Sequence, residues 1–299
     1  MKISFYIYPL LRNRMKKLIN YSKLVKFEHT LFALPFALIG FFFALGQNGA
    51  ELSFKLLGLV LLCMVFARNA AMGFNRYLDR KIDKLNPRTA SREIPAGVLN
   101  PGAVLLFVIA NSLLFMVATW FINSVCFYLS PVALFVILFY SFTKRFTPLC
   151  HFVLSTGLAI APMGAYLAVA GKFDWLPFLL SMVVFFWVSG FDIIYALQDE
   201  DFDKGLKLKS VPAFLGKKRA LNVSKMIHFL AAVFVILVAV YTPANWIHII
   251  GSVVFIALLA YQHTLVKHDD LSKVNLAFFT TNGVASVIYG VFVIAGLYL

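Results

Sequence analysis

Asn75, Asp79 and Asp83 stand at every fourth position of the stretch Asn75-Arg76-Tyr77-Leu78-Asp79-Arg80-Lys81-Ile82-Asp83. On a helix that spacing stacks three oxygen-bearing side chains along one face. A second stripe, Asp192, Tyr195, Asp199 and Asp203, follows beyond the middle of the chain with steps of three, four and four, again one helical face. Crowded carboxylates repel one another unless cations join them. Hard divalent ions take oxygen ligands, and Mg²⁺ is commonly held by one or two carboxylates with substrate phosphates completing its shell. The stripes are therefore two candidate half-sites for a divalent metal.

Basic residues surround both stripes. Arg80, Lys81, Arg88 and Arg92 follow the first, Lys204, Lys207 and Lys209 follow the second, and Lys144 with Arg145 forms a third group. Carboxylates, metal and cations together make a diphosphate clamp. Lys81, Lys84, Lys217 and Lys218 read instead as ordinary flanking charge. Arg68 is different: it lies seven residues before Asn75, on the same face and about two turns deeper in an apolar run. A guanidinium at such depth needs a partner, either a substrate carboxylate or an Asp.

The elements that position these groups are membrane helices. Of the 299 residues 61% are hydrophobic and 13% charged, with a mean hydropathy of +0.85. A soluble domain is nearer half apolar and a quarter charged. The apolar runs are long and unbroken, which excludes the alternating pattern of a membrane barrel. The expected fold is an all-α polytopic membrane protein, one helical bundle over residues 27–299 preceded by a basic segment, 1–26, lying against the inner membrane face. Nine spans are expected near 27–47, 54–78, 99–121, 124–143, 149–171, 175–198, 222–241, 244–265 and 275–298. The short apolar run at 3–11 precedes most of the basic charge of that segment, the reverse of a signal peptide.

The formal charge of +14 is what the positive-inside bias produces in a membrane chain, and no basic-aromatic strand pattern points to nucleic acid. With a cytoplasmic N-terminus and nine spans, only Lys55 and Lys172 of the 27 Lys and Arg residues face outward, and both Asp stripes face inward. Cys63, Cys126 and Cys150 have no paired spacing and read as packing residues. His151, His228, His248, His263 and His268 show no ligand spacing and read as structural.

Two rival classes fit less well. Membrane phosphotransferases acting on CDP-alcohols gather their acidic positions in one motif led by DGxxAR, which is missing here. A transporter places acidic residues near the bilayer midplane on broken helices, whereas these stripes fall at helix ends.

The segments NRYLDRKID and DIIYALQDEDFD resemble the two aspartate motifs, NxxxDxxxD and YxxxDxxxD, of the UbiA superfamily of intramembrane prenyltransferases. YSFTKRF (Tyr140, Lys144, Arg145) and LKSVPAFLG (Lys209, Ser210) are similar to that family's loops after the fourth span and after the second motif. The resemblance covers nearly the whole chain and implies nine helices around a central cavity opening to the cytoplasm. It implies that Asp79, Asp83, Asp199 and Asp203, supported by Asn75, hold Mg²⁺ bridged to a polyprenyl diphosphate. Lys144, Arg145, Arg88, Tyr140 and Lys209 would bind the diphosphate. Arg68, Asp192, Tyr195 and His29 would meet an aromatic acid acceptor, and the prenyl tail would leave sideways into the lipid bilayer. The implied setting is a bacterial inner membrane, with quinone synthesis as the purpose. KFEHTLFALPFA and NPRTASREIPAG look closest to the branch that serves menaquinone through futalosine, whose acceptor is 1,4-dihydroxy-6-naphthoate. The alternative acceptor is 4-hydroxybenzoate, for ubiquinone; haem prenylation is a further alternative.

Overall fold

The computed structural model describes residues 20–25, 30–243 and 245–299, and among them it is helical throughout with no strand. In chain order the elements are α1 (Thr30–Asn48), α2 (Phe54–Leu85), α3 (Pro101–Trp120), α4 (Ser124–Thr143), α5 (Cys150–Ala170) and α6 (Trp175–Ala196). A 3₁₀ turn (Leu197–Asp199) then leads to two short helices, α7 (Glu200–Gly205) and α8 (Val211–Leu215). The chain continues through α9 (Lys217–Tyr241), α10 (Trp246–Leu265), a π-helical turn (Leu276–Thr281) and α11 (Asn282–Tyr298).

Local chemistry starts and stops these helices where the sequence permits. Ser53, Asn100, Asn123, Asp174 and Asn245 each cap a helix N-terminus with a side-chain oxygen on a backbone N–H, satisfying donors that the first turn leaves open. Gly171 ends α5 in the left-handed region, φ 64°, where a side chain would be strained.

Among the described residues eight helices are long and apolar enough to cross a membrane. The expected ninth, α1, is apolar over its described stretch Phe32–Asn48, and the expected beginning of that span, 27–29, lies outside the described residues. Of the basic N-terminal segment only 20–25 is described. It is a helical turn whose Leu24 and Val25 are buried, with the Tyr21 ring tilted against Phe107 of α3 at 4.8 Å between centroids.

Neighbours in sequence pack as neighbours in space from α2 round to α6, α9 follows on α6, and α10 pairs with α11. Helix α1 closes the bundle by packing on both α5 and α11. The approach of α1 to α5 is close: a methyl group at Gly40 would sit 2.1 Å from the Pro162 carbonyl oxygen, so only glycine lets the two backbones meet there. The main core surrounds α6, where Trp187, Phe191, Phe36, Phe255 and Tyr289 interlock. Trp187 donates its indole N–H to Asn282 Oδ1 (2.8 Å) at the foot of the π turn, which satisfies a polar group that would otherwise be costly in an apolar core.

Candidate active site

The first motif rides entirely on α2. That helix runs seven residues past the expected end of its span, to Leu85, so Asn75, Asp79 and Asp83 share one continuous helix. The second motif departs from expectation. Asp192 and Tyr195 share α6, but the chain tightens into the 3₁₀ turn at Leu197–Asp199 before α7 begins. Leu197 N–H bonds back to Ile194 O, three residues away, the contact that winds a helix tighter. The four residues therefore do not form one continuous helical face; Asp199 and Asp203 are re-aimed after the turn.

The two motifs meet at one end of the bundle, and each of their four carboxylates faces a cation. Arg145 Nη2 donates to Asp79 Oδ1 (2.7 Å), while Asn75 Nδ2 donates to Asp79 Oδ2 (3.0 Å). Arg92 Nη1 donates to Asp83 Oδ1 (2.6 Å). Arg88 grips Asp199 with two nitrogens, Nε on Oδ1 (3.0 Å) and Nη2 on Oδ2 (2.5 Å). Lys144 Nζ lies 2.7 Å from Asp203 Oδ1, and Ser210 Oγ donates to Asp203 Oδ2 (3.0 Å). Asn86 Nδ2 adds a further bond to Asp199 Oδ1 (3.0 Å). Burial opposes the charge on Arg88, but the Asp199 carboxylate outweighs it and holds the guanidinium above its ordinary pKa.

The loop between α2 and α3 is the link between the halves. Its Arg88 and Asn86 reach the second motif while its Arg92 reaches the first, and Thr89 Oγ1 donates back to the Asp83 carbonyl (3.0 Å). Arg88 also donates to the Tyr195 hydroxyl (2.9 Å), and Tyr195 stacks on Phe278 with centroids 4.2 Å apart. Phe278 in turn packs edge-on against Phe191 and Phe32, so an aromatic wall begins directly beneath the charged cluster.

Arg68 is half-buried on α2, within electrostatic reach of Tyr140 on α4. Tyr140 also lies within reach of Asp79, Arg76 and Asp192. Lys209 is exposed, and its contact is a backbone one: its N–H donates to the Lys144 carbonyl (2.7 Å), fastening the segment before α8 to the loop after α4. His29 lies outside the described residues. Arg92, named among the basic residues after the first stripe, belongs to the cluster, and so do Asn86 and the buried Arg76, which spacing alone did not single out. The histidine at 151, read as structural, bonds Asp192 through Nδ1 at 2.6 Å.

The donor set suits a hard cation. It consists of carboxylate oxygens, and Asp83 Oδ2 is buried with no hydrogen-bond donor. Among the described residues no three His, Cys, Asp or Glu side chains converge on one point. A cation here would be shared by one or two carboxylates at a time, the manner in which Mg²⁺ binds when substrate phosphates complete its shell.

Comparison with known proteins agrees with this geometry. The family model of the UbiA prenyltransferase family matches residues 33–284. A 4-hydroxybenzoate octaprenyltransferase of Tolumonas auensis is 30% identical over 240 residues, 79% of this chain and 82% of that protein. The Aliivibrio salmonicida protein of the same name is 28% identical over 77% of this chain and 80% of its own length. Among solved structures, a UbiA homolog from Aeropyrum pernix superposes with a TM-score of 0.81 at 29% identity, covering 90% of this chain and 98% of that one. A UbiA homolog from Archaeoglobus fulgidus, bound to GPP and Mg²⁺, shares the fold at a TM-score of 0.74 and 23% identity, over 94% of this chain and all of the other. The chain belongs to the UbiA prenyltransferase family. It is a multi-pass membrane enzyme, a prenyltransferase.

Proposed function

We propose that this chain joins a polyprenyl group from a polyprenyl diphosphate to a hydroxylated aromatic carboxylate in respiratory quinone synthesis, in a Mg²⁺-dependent reaction at the cytoplasmic face of a bacterial inner membrane. The observation that carries the reading is the meeting of four motif carboxylates, from helices far apart in sequence, at one end of the bundle with a separate cation against each. The names of the curated relatives and the GPP and Mg²⁺ of the A. fulgidus homolog support it. The likeness of NPRTASREIPAG favours 1,4-dihydroxy-6-naphthoate as the acceptor; the relatives are named for 4-hydroxybenzoate.

Asp79, Asp83, Asp199 and Asp203 are the Mg²⁺ ligands in this reading, and the ion supplies Lewis-acid stabilisation of the charge that develops on the diphosphate. Lys144, Arg145 and Arg88 stand beside those carboxylates and neutralise the diphosphate as its bond to the prenyl carbon breaks. Asn75 holds Asp79 in place, and Arg68, deeper on α2, binds the acceptor carboxylate. The wall of Tyr195, Phe278, Phe191 and Phe32 keeps water from the allylic cation.

Membranes containing the protein, supplied with Mg²⁺ and labelled polyprenyl diphosphate, test the reading when 4-hydroxybenzoate and 1,4-dihydroxy-6-naphthoate are offered in parallel. Labelled lipid from the naphthoate alone places the chain in menaquinone synthesis; from the benzoate alone, in ubiquinone synthesis. No product from either overturns the proposal. Arg68→Ala is expected to raise KM for the aromatic acid more than for the diphosphate, and the opposite pattern would move Arg68 to the diphosphate site.

A further inference from the structure

His151, the second residue of α5, has its ring buried, and it makes two contacts that together fix its protonation. Its Nδ1 lies 2.6 Å from Asp192 Oδ2, and its Nε2 receives the backbone N–H of Val211 at 3.3 Å. A backbone N–H can only donate, so Nε2 carries the lone pair and Nδ1 carries the proton. The imidazole is therefore neutral and donates to Asp192, fastening that carboxylate to the first residue of α8.

Asp192 lies seven residues before Asp199, about 10 Å deeper along the helix, below the charged cluster. Its side chain keeps 25% of its surface, and among the described residues Oδ1 accepts no hydrogen bond. Tyr140 stands within electrostatic reach of both Asp192 and Arg68. A ring bound between α2 and α6 could thus present a carboxylate toward Arg68 and a hydroxyl toward Asp192.

We propose that Asp192 is the proton acceptor for the hydroxyl of the aromatic acceptor and that His151 is its positioning residue. This rests on the prenyl-transfer reading above. After the C1–O bond breaks and the diphosphate leaves with the electron pair, the ring carbon beside the hydroxyl forms its bond to C1 of the allylic cation. The hydroxyl proton passes to Asp192 Oδ1 in the same step, leaving a neutral ring ketone with one hydrogen on the new tetrahedral carbon. That hydrogen then leaves as a proton to the diphosphate, Asp192 returns its proton to the oxygen, and the ring is aromatic again. One proton is transferred to diphosphate overall, and Asp192 ends as it began. Proton removal concerted with attack raises the nucleophilicity of the ring carbon when it is needed, without a free phenolate forming beforehand.

The test compares transfer rates in membranes for wild type, Asp192→Asn, His151→Leu and His151→Gln. Each is run with whichever aromatic acid wild type accepts and with its ring-fluorinated analogue, whose hydroxyl is more acidic. Asp192→Asn is expected to lose on the order of 100-fold in transfer, the scale of a missing general base, and the deficit is expected to narrow with the fluorinated acid. His151→Leu is expected to lose in the same pattern. His151→Gln is expected to regain most of that loss, because its amide can donate to Asp192 and accept from Val211. Wild-type rates in Asp192→Asn, or a deficit equal for both acids, would overturn the proton-acceptor role. His151→Gln no better than His151→Leu would overturn the positioning role. A wild type that prenylates no hydroxylated aromatic acid would overturn the reading beneath both.

Discussion

Helices α2 and α6 carry the same kind of motif on opposite kinds of support. Of the most apolar stretch of α6, 67% is buried inside the protein; for α2 the share is 17%. Helix α6 is the axle of the main core, fixed by Trp187 and packed by α5 and α9. Helix α2 lies at the rim, packed chiefly on α3 and α4. Its carboxylates are steadied instead by polar bonds, from Arg145 and Asn75 to Asp79 and from Arg92 to Asp83. A half-site can therefore be held by a packed core or by its own ionic neighbours, and this protein joins one of each through Arg88 and Asn86.

The largest effect expected tests whether the halves are chemically equal despite this difference. Asp79→Ala and Asp199→Ala are each expected to cut turnover on the order of 10³-fold while the protein still inserts, as read by labelled transfer beside membrane yield. Full activity in either variant would break the metal assignment for that half. Next comes stability, where the halves are expected to differ. A methyl group at Gly190 of α6 would lie 2.2 Å from the His228 ring, whereas Gly58 of α2 has open space around it. Gly190→Leu is expected to cost about 3 kcal/mol or more and Gly58→Leu about 0.5 kcal/mol or less, measured as thermal unfolding in detergent. Comparable losses would remove the distinction between core and rim.

Removing the link itself is expected to matter less than removing a metal ligand. Arg88→Leu breaks a bond between the halves and leaves Asp199 short of its strongest partner; Arg92→Leu breaks one within the first half. Turnover is expected to fall about tenfold further in the former, a difference of roughly 1.4 kcal/mol in the barrier. Equal losses would show that the loop does not couple the motifs. The smallest effect belongs to Lys81→Ala, an exposed position on α2, where stability is expected to stay within about 0.5 kcal/mol of wild type.

The helical bundle and the first motif were legible in the sequence because they depend on spacing along a single helix. Asn75 and Asp79, four residues apart, do bond each other. The pairing of cations with carboxylates was legible only as a collection, since Arg88 finds Asp199 across 111 residues and Lys144 finds Asp203 through packing of separate helices. The break at Leu197–Asp199 left no sign in the residues: a 3₁₀ turn needs no proline or glycine and is set by what α7 packs against. The bond from His151 to Asp192 was illegible for the same reason. No spacing relates the two residues, and only the approach of α5 to α6 brings them together.

The bonds from Asn86 and Arg88 to Asp199 span 113 and 111 residues. A ribosome adding about 5–20 residues each second needs on the order of ten seconds to cover that interval. Throughout it, α2 and Arg88 are already synthesised while Asp199 is not. The first half-site is therefore born open and is completed only when α6 arrives. Biogenesis of this enzyme has a waiting step written into its connectivity, and a chain that stalls before Asp199 carries one motif without its closing partner.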